Sequence, residues 1–180
     1  LEQMDRERAL VKFRNGTCQL LLATDLAARG LDIPEIKFII HFELPYHSNE
    51  FTHRNGRTAR MNAEGAAYVL HTEGKRLPDF IKSANPETES IEALRAAKIK
   101  DVDAWSTLYI TGGRQDKISK GDIAGMFFKT GGLTKDELGI IELQQNCAFV
   151  AVKRTIAHRV MERTNNQRLK KKKVRVTLVR

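Results

Sequence analysis

From residue 105 onward the chain reads as strand, helix, strand, strand, helix, strand. Strands are indicated at 106–111 (STLYIT), 139–144 (GIIELQ), 147–153 (CAFVAVK) and 174–179 (VRVTLV), with helices at 120–130 and 154–164. That order is the split βαβ arrangement. It folds as a four-stranded antiparallel sheet with two helices on one face and the other face open. Upstream the pattern differs. Residues 18–23 (CQLLLA), 37–42 (KFIIHF) and 66–71 (AAYVLH) are short, continuous apolar runs. Strands buried on both faces need such runs, so a parallel sheet covered by helices is expected. Helices are expected at 5–14 and from Ser48, as cap, to about Arg54, with Asn15-Gly16 and Asn55-Gly56 as stops. The class is therefore α/β with an α+β region behind it. Between them Pro78, Pro86, Glu87, Glu89 and Glu92 mark residues 73–104 as an outlying helix and a linker.

Composition narrows the partners. The 180 residues carry a net charge of +9, and it is one-sided. Residues 1–102 hold 15 basic and 15 acidic side chains, whereas 103–180 hold 16 and 7. A basic patch on one domain is the footprint of a polyanion. No apolar run is long enough to span a bilayer and no signal-peptide pattern opens the chain, so no membrane partner is expected. Leu1 is followed at once by a charged helical pattern, as in mid-domain sequence, and a fragment is expected. Cys18 and Cys147 each begin an apolar run and are expected as buried free thiols, which suits a reducing, cytoplasmic location. No Cys or His cluster has metal-ligand spacing.

Two blocks carry chemistry. One is Ala23-Thr24-Asp25-Leu26-Ala27-Ala28-Arg29-Gly30-Leu31-Asp32-Ile33-Pro34, and the other is His53-Arg54-Asn55-Gly56-Arg57-Thr58-Ala59-Arg60. Both follow strand-like runs, at the carboxyl ends where such sheets bind ligands. In a helix, Arg57 and Arg60 share one face and could reach one phosphate. A guanidinium beside a γ-phosphate stabilises the charge that shifts during phosphoryl transfer.

The blocks resemble motifs V and VI of the DEAD-box RNA helicases, the second at six of eight positions. The resemblance implies catalysis by Arg60, as arginine finger, with Arg57 as a second phosphate contact. It implies Asp32 on the ATP ribose, Thr24 and Gly30 on RNA phosphates, and Arg29 coupling the two ligands. Gln3-Met4-Asp5-Arg6 matches the family's Gln-x-x-Arg motif, so Arg6 is expected on RNA. His53 stands where related helicase families usually carry Gln, so RNA is favoured over DNA. His53 and Arg54 are implied as interdomain and structural contacts. Glu43, Asn55 and Ala59 depart from the family pattern. They favour the alternative of a non-enzymatic RNA-binding assembly factor with a degenerate helicase half.

The last region resembles the RNA-recognition (RRM) fold of DbpA-like DEAD-box helicases. Such domains stack bases on sheet aromatics. The alignment puts Tyr109 and Phe149 at stacking positions, and half-buried sheet packing is the plain alternative. Lys117, Lys120, Lys153, Arg175 and the run Lys170-Lys171-Lys172-Lys173 are expected phosphate contacts. The resemblance thus implies a partial RecA-like parallel sheet over 1–72, a linker over 73–104 and an RNA-binding domain over 105–180. It implies a full-length ATP-dependent RNA helicase, using ATP and Mg2+, that acts on structured RNA, with ribosomal RNA in ribosome assembly as the leading target. The first RecA-like domain of the same protein would be a partner. This sequence contains no G-x-x-x-x-G-K-S/T phosphate loop and no Asp-Glu-Ala-Asp. The chain alone is therefore expected to bind RNA without holding or hydrolysing ATP.

Overall fold

The computed structural model describes residues 2–25, 33, 36–58, 65–95 and 105–179. In chain order the elements are α1 (Gln3–Arg14), β1 (Phe38–His41), α2 (Ser48–Asn55), β2 (Ala66–Val69), α3 (Asp79–Lys82), β3 (Trp105–Ile110), α4 (Lys120–Lys129), β4 (Leu138–Leu143), β5 (Ala148–Lys153), α5 (Ala157–Thr164), β6 (Arg168–Leu169), β7 (Lys172–Lys173) and β8 (Val176–Leu178). They form two compact units, one of Leu22–Ala97 and one of Leu1–Leu21 with Lys98–Arg180.

In the first of these units β1 and β2 pair in parallel, from Phe38 with Ala66 to His41 with Val69. Parallel neighbours need a crossover, and α2 lies in it. Ser48 is the first helical residue rather than the cap, and the cap position, His47, makes no side-chain hydrogen bond. Glu50 acts instead, its carboxylate accepting from the Tyr46 N–H at 3.0 Å. Gly56 closes the helix as expected, its N–H donating to the Thr52 carbonyl at 2.8 Å.

The strand expected over 18–23 is absent. β1 and β2 pair with each other in a two-stranded sheet, which leaves this run without a ladder. Its Leu20 and Leu22 are 79% and 89% exposed. Apolar character favours burial, but a strand also needs a partner edge for its backbone. Of the linker, the described residues form the single turn of α3 and a 3-10 turn at Ile91–Ala93.

The second unit holds a four-stranded antiparallel sheet in the order β4-β5-β3-β8. Its side chains alternate between two faces. Leu108 and Ile110 of β3 and Ala148, Val150 and Val152 of β5 join Ile123 and Phe127 of α4 and Val160 of α5 in the core. Trp105, Thr107, Tyr109, Phe149 and Lys153 alternate with these and fall on the opposite face. The capping box at α4 is complete, with Ser119 and Asp122 each bonding the other's backbone N–H. The helix expected over 154–164 begins as a 3-10 turn at Arg154–Ile156. The strand expected from 174 starts at Val176, because the Val174 N–H closes a hairpin by donating to the Gln167 carbonyl.

That hairpin is β6–β7, paired at Arg168 with Lys173 and at Leu169 with Lys172. Lys170 turns it with φ +57, in the left-handed region. A run of four lysines offers none of the glycine or asparagine signals that mark a tight turn.

The sequence grouped α1 with residues up to 72. In the structure α1 belongs to the unit of the antiparallel sheet.

Candidate nucleic-acid interface

Tyr109 and Phe149 are direct cross-strand partners. Their ring centroids lie 5.4 Å apart at an interplanar angle of 60°, an edge-to-face pair. Phe149 is only 3% exposed. Tyr109 is half-buried, and burial pushes its phenol above the ordinary range. Trp105, which sequence reasoning passed over, adds a third ring. Lys153 Nζ sits 4.6 Å from its ring centroid, so this lysine makes a cation–π contact. Cys18 and Cys147 are free and half-buried rather than fully buried. Burial pushes the Cys147 thiol up, and Sγ lies 3.0 Å from Gln144 Oε1.

The lysine run is divided by two carboxylates. Lys170 Nζ lies 2.9 Å from Asp122 Oδ1, and Lys172 Nζ lies 2.8 Å from Asp116 Oδ2. Alternate members are thus engaged, while Lys171, Lys173 and Arg175 are exposed. Lys117 (φ +59) and Lys120, at the start of α4, are exposed as well. The sequence showed the lysines but not their two aspartates.

Asp122 accepts from Ser119 and from Lys170, which together hold its carboxyl down at about 2, against an ordinary 3.8. Between those values the unfolded chain binds more protons than the folded one. The stability from these contacts is therefore complete above about pH 4 and is lost as pH falls through about 2. Asp122→Asn is expected to flatten the fall in melting temperature over that range, measured by circular dichroism in a pH series.

The helicase-like blocks converge on Arg54. Its guanidinium donates to both carboxylate oxygens of Asp25, each at 2.6 Å. It also donates to the Glu43 carbonyl at 2.9 Å and approaches His41 Nδ1 at 3.5 Å. One arginine therefore ties the first block to the second and to the Phe42-Glu43-Leu44-Pro45 segment. His41 is 1% exposed, and its Nε2 lies 2.8 Å from Asn55 Oδ1. The amide oxygen accepts, so Nε2 carries the proton and Nδ1 faces Arg54 as an acceptor. Asn55, a departure from the family motif, thus has a buried partner that the sequence did not reveal.

Burial pushes the His41 pKa down, the Asn55 hydrogen bond opposes this, and Arg54 adds to the depression. The folded chain keeps His41 neutral where the unfolded chain protonates it, so stability falls as pH drops below about 6.5. His41→Asn is expected to remove that dependence below about pH 6.5, read from urea midpoints in a pH series.

The remaining site residues separate as follows. Thr24 is exposed and Arg57 half-buried. Thr58 forms a parallel bridge to Ile36, and its hydroxyl donates to the Ile36 and Lys37 carbonyls. The second block therefore does not lie wholly at the strand carboxyl ends. It runs from His41, the last residue of β1, to the amino-terminal approach of that strand. Arg6 is exposed on α1. Arg29, Gly30, Asp32, Ala59 and Arg60 lie outside the described residues. Among the described residues no group of three His, Cys, Asp or Glu could hold a metal ion. None of their helices is long and apolar enough to cross a membrane.

Comparisons with known proteins match two separate stretches of the chain. The helicase conserved C-terminal domain matches residues 1–62, and the DbpA RNA binding domain matches residues 107–178. The ATP-dependent RNA helicase DbpA of Escherichia coli is 34% identical over 100% of this chain and 40% of its own length. The Bacillus subtilis protein of the same name is 28% identical over 97% of this chain and 42% of its own. DEAD-box ATP-dependent RNA helicase 9 of rice is 53% identical over 40% of this chain and 12% of its own. The chain therefore spans 40% and 42% of the two DbpA relatives.

Proposed function

We propose, since this chain belongs to the DbpA-like DEAD-box RNA helicases and corresponds to their C-terminal part, that its own task is to anchor structured RNA for a full-length ATP-dependent helicase. The observation that carries this reading is the β6–β7 hairpin, which raises Lys171 and Lys173 beside Arg175 on a compact domain. Residues 105–180 supply the anchor, 73–104 the linker, and 1–72 part of the second RecA-like domain. Lys117, Lys120, Lys153, Lys170 and Lys172 extend the basic surface, with Tyr109 and Phe149 as stacking candidates. The RNA is ribosomal, remodelled in the cytoplasm during ribosome assembly.

ATP and Mg2+ are used by the full-length protein, whose first RecA-like domain brings the phosphate loop and the metal-binding carboxylates. Against that site Arg60 and Arg57 meet the phosphates and Asp32 the ribose. Arg6, Thr24, Arg29 and Gly30 meet RNA. The chain by itself hydrolyses no ATP, since its sequence has no phosphate loop. RNA-stimulated phosphate release by the isolated chain would refute that statement. A non-enzymatic assembly factor is the other reading. Of the departures behind it, Asn55 is accounted for by its bond to His41, which leaves the motif's charged groups untouched.

The hairpin is tested by Lys171→Ala/Lys173→Ala in this chain. Each phosphate contact contributes roughly 0.7–0.9 to the slope of log K against log salt. The double variant is expected to lower that slope by about 1.5 on hairpin RNA. An unchanged slope would place the RNA elsewhere.

A further inference from the structure

The open face of the antiparallel sheet carries its own cover. Arg14 at the end of α1 donates from Nε and Nη2 to Glu142 Oε1 and Oε2 of β4, at 2.9 and 2.7 Å. Glu7, two turns earlier, accepts from Gln144 Nε2 at 2.6 Å. Beyond the helix, the Thr17 and Thr107 hydroxyls lie 2.8 Å apart, and Asn15 Nδ2 lies 3.5 Å from the same Thr107 oxygen. Gly16 takes φ +72, and a Cβ there would lie 3.4 Å from Trp105 Cδ1. Glu7, Val11 and Arg14 are spaced along one helix face. Val11, between the two anchors, is fully buried.

These anchors bracket the aromatic pair. Glu142 and Thr107 flank it, since Glu142 stands opposite Phe149 and Thr107 is two residues before Tyr109. Thr107 is 0% and Phe149 3% exposed, on a face that the two core helices do not cover. We propose that this face is a docking surface for helix α1, and that α1 and the bases of single-stranded RNA are alternative occupants of Tyr109 and Phe149. The helix that bears Arg6 then acts as a latch on the sheet.

The bonds are of a releasable kind. The five side-chain contacts that hold the helix are all polar pairs, and Asn15 Oδ1 is buried without a hydrogen-bond partner. Leaving such an atom unpaired opposes docking. RNA that offers stacking can therefore displace the helix. The competition rests on the proposed stacking of bases on Tyr109 and Phe149, whereas the phosphate-anchoring role of the lysine hairpin does not need the sheet face.

Trp105 is the chain's single tryptophan, so its emission reads docking without any RNA. In the 180-residue chain, Arg14→Ala/Glu142→Ala and Arg14→Glu/Glu142→Arg both keep the net charge, so counterion release is matched. The double alanine is expected to shift Trp105 emission to the red and raise acrylamide quenching. The charge reversal is expected to restore both towards wild type. Affinity for an eight-residue oligouridylate is expected to rise about tenfold in the double alanine and to return with the reversal. Identical Trp105 emission in all three chains would overturn the docking. Red-shifted emission with unchanged oligouridylate affinity would overturn the competition. Neither result bears on hairpin-RNA binding through the lysines.

Discussion

Arg60→Ala in the full-length helicase is expected to lower RNA-stimulated ATP turnover about a thousandfold, or about 4 kcal/mol of transition-state stabilisation. The expectation rests on charge. As the γ-phosphoryl leaves, negative charge redistributes over its oxygens, and a guanidinium held beside them stabilises that state more than the ground state. The affinity of the variant for hairpin RNA is expected to stay within about twofold, because the phosphate contacts proposed for the C-terminal domain do not involve Arg60. Loss of turnover together with loss of RNA affinity would contradict this division of labour. So would full turnover in the variant.

The second large effect is expected at Arg54. Its side chain is 22% exposed and that of Asp25 39%, so the pair is neither a free surface bridge nor a dry one. Exposed pairs contribute at most about 1 kcal/mol, whereas breaking a buried pair costs about 3–5. Arg54 also serves the Glu43 carbonyl and faces His41. Arg54→Ala is therefore expected to destabilise the unit of Leu22–Ala97 by about 2 kcal/mol. Amide exchange in β1 should then accelerate about thirtyfold. Arg54→Lys should recover less than half of that, since an ammonium cannot donate to both Asp25 oxygens and to Glu43 with one fork. Exchange unchanged in the alanine variant would mean that the clamp holds nothing.

The C-terminal fold was legible in the sequence because four short apolar, β-branched runs and two helical stretches follow one another in the order of a split βαβ unit. Elements that depend on pairing were less legible. CQLLLA has the composition of a buried strand, yet Leu20 and Leu22 are exposed, because composition does not supply an edge to pair with. The lysine hairpin was hidden for a related reason. Lys170 adopts a left-handed turn that its residue type does not announce, and Asp122 and Asp116 pin the run from a distance in sequence. At the site, motif spacing pointed to Arg54, Arg57, Tyr109 and Phe149. It could not show that Asn55 answers His41, nor that Arg14 and Glu142 meet across 128 positions. Contacts between distant, individually ordinary polar residues leave no periodic trace.

The central claim is that this chain recognises structured RNA, beyond attracting any polyanion. It is tested most directly by measuring affinity for a hairpin RNA and for a DNA duplex with the same number of phosphates, from low to high salt. Tighter binding to the RNA at every salt concentration is expected, with a difference that survives extrapolation to 1 M salt, where counterion release vanishes. Equal affinities that fall together with salt would contradict it.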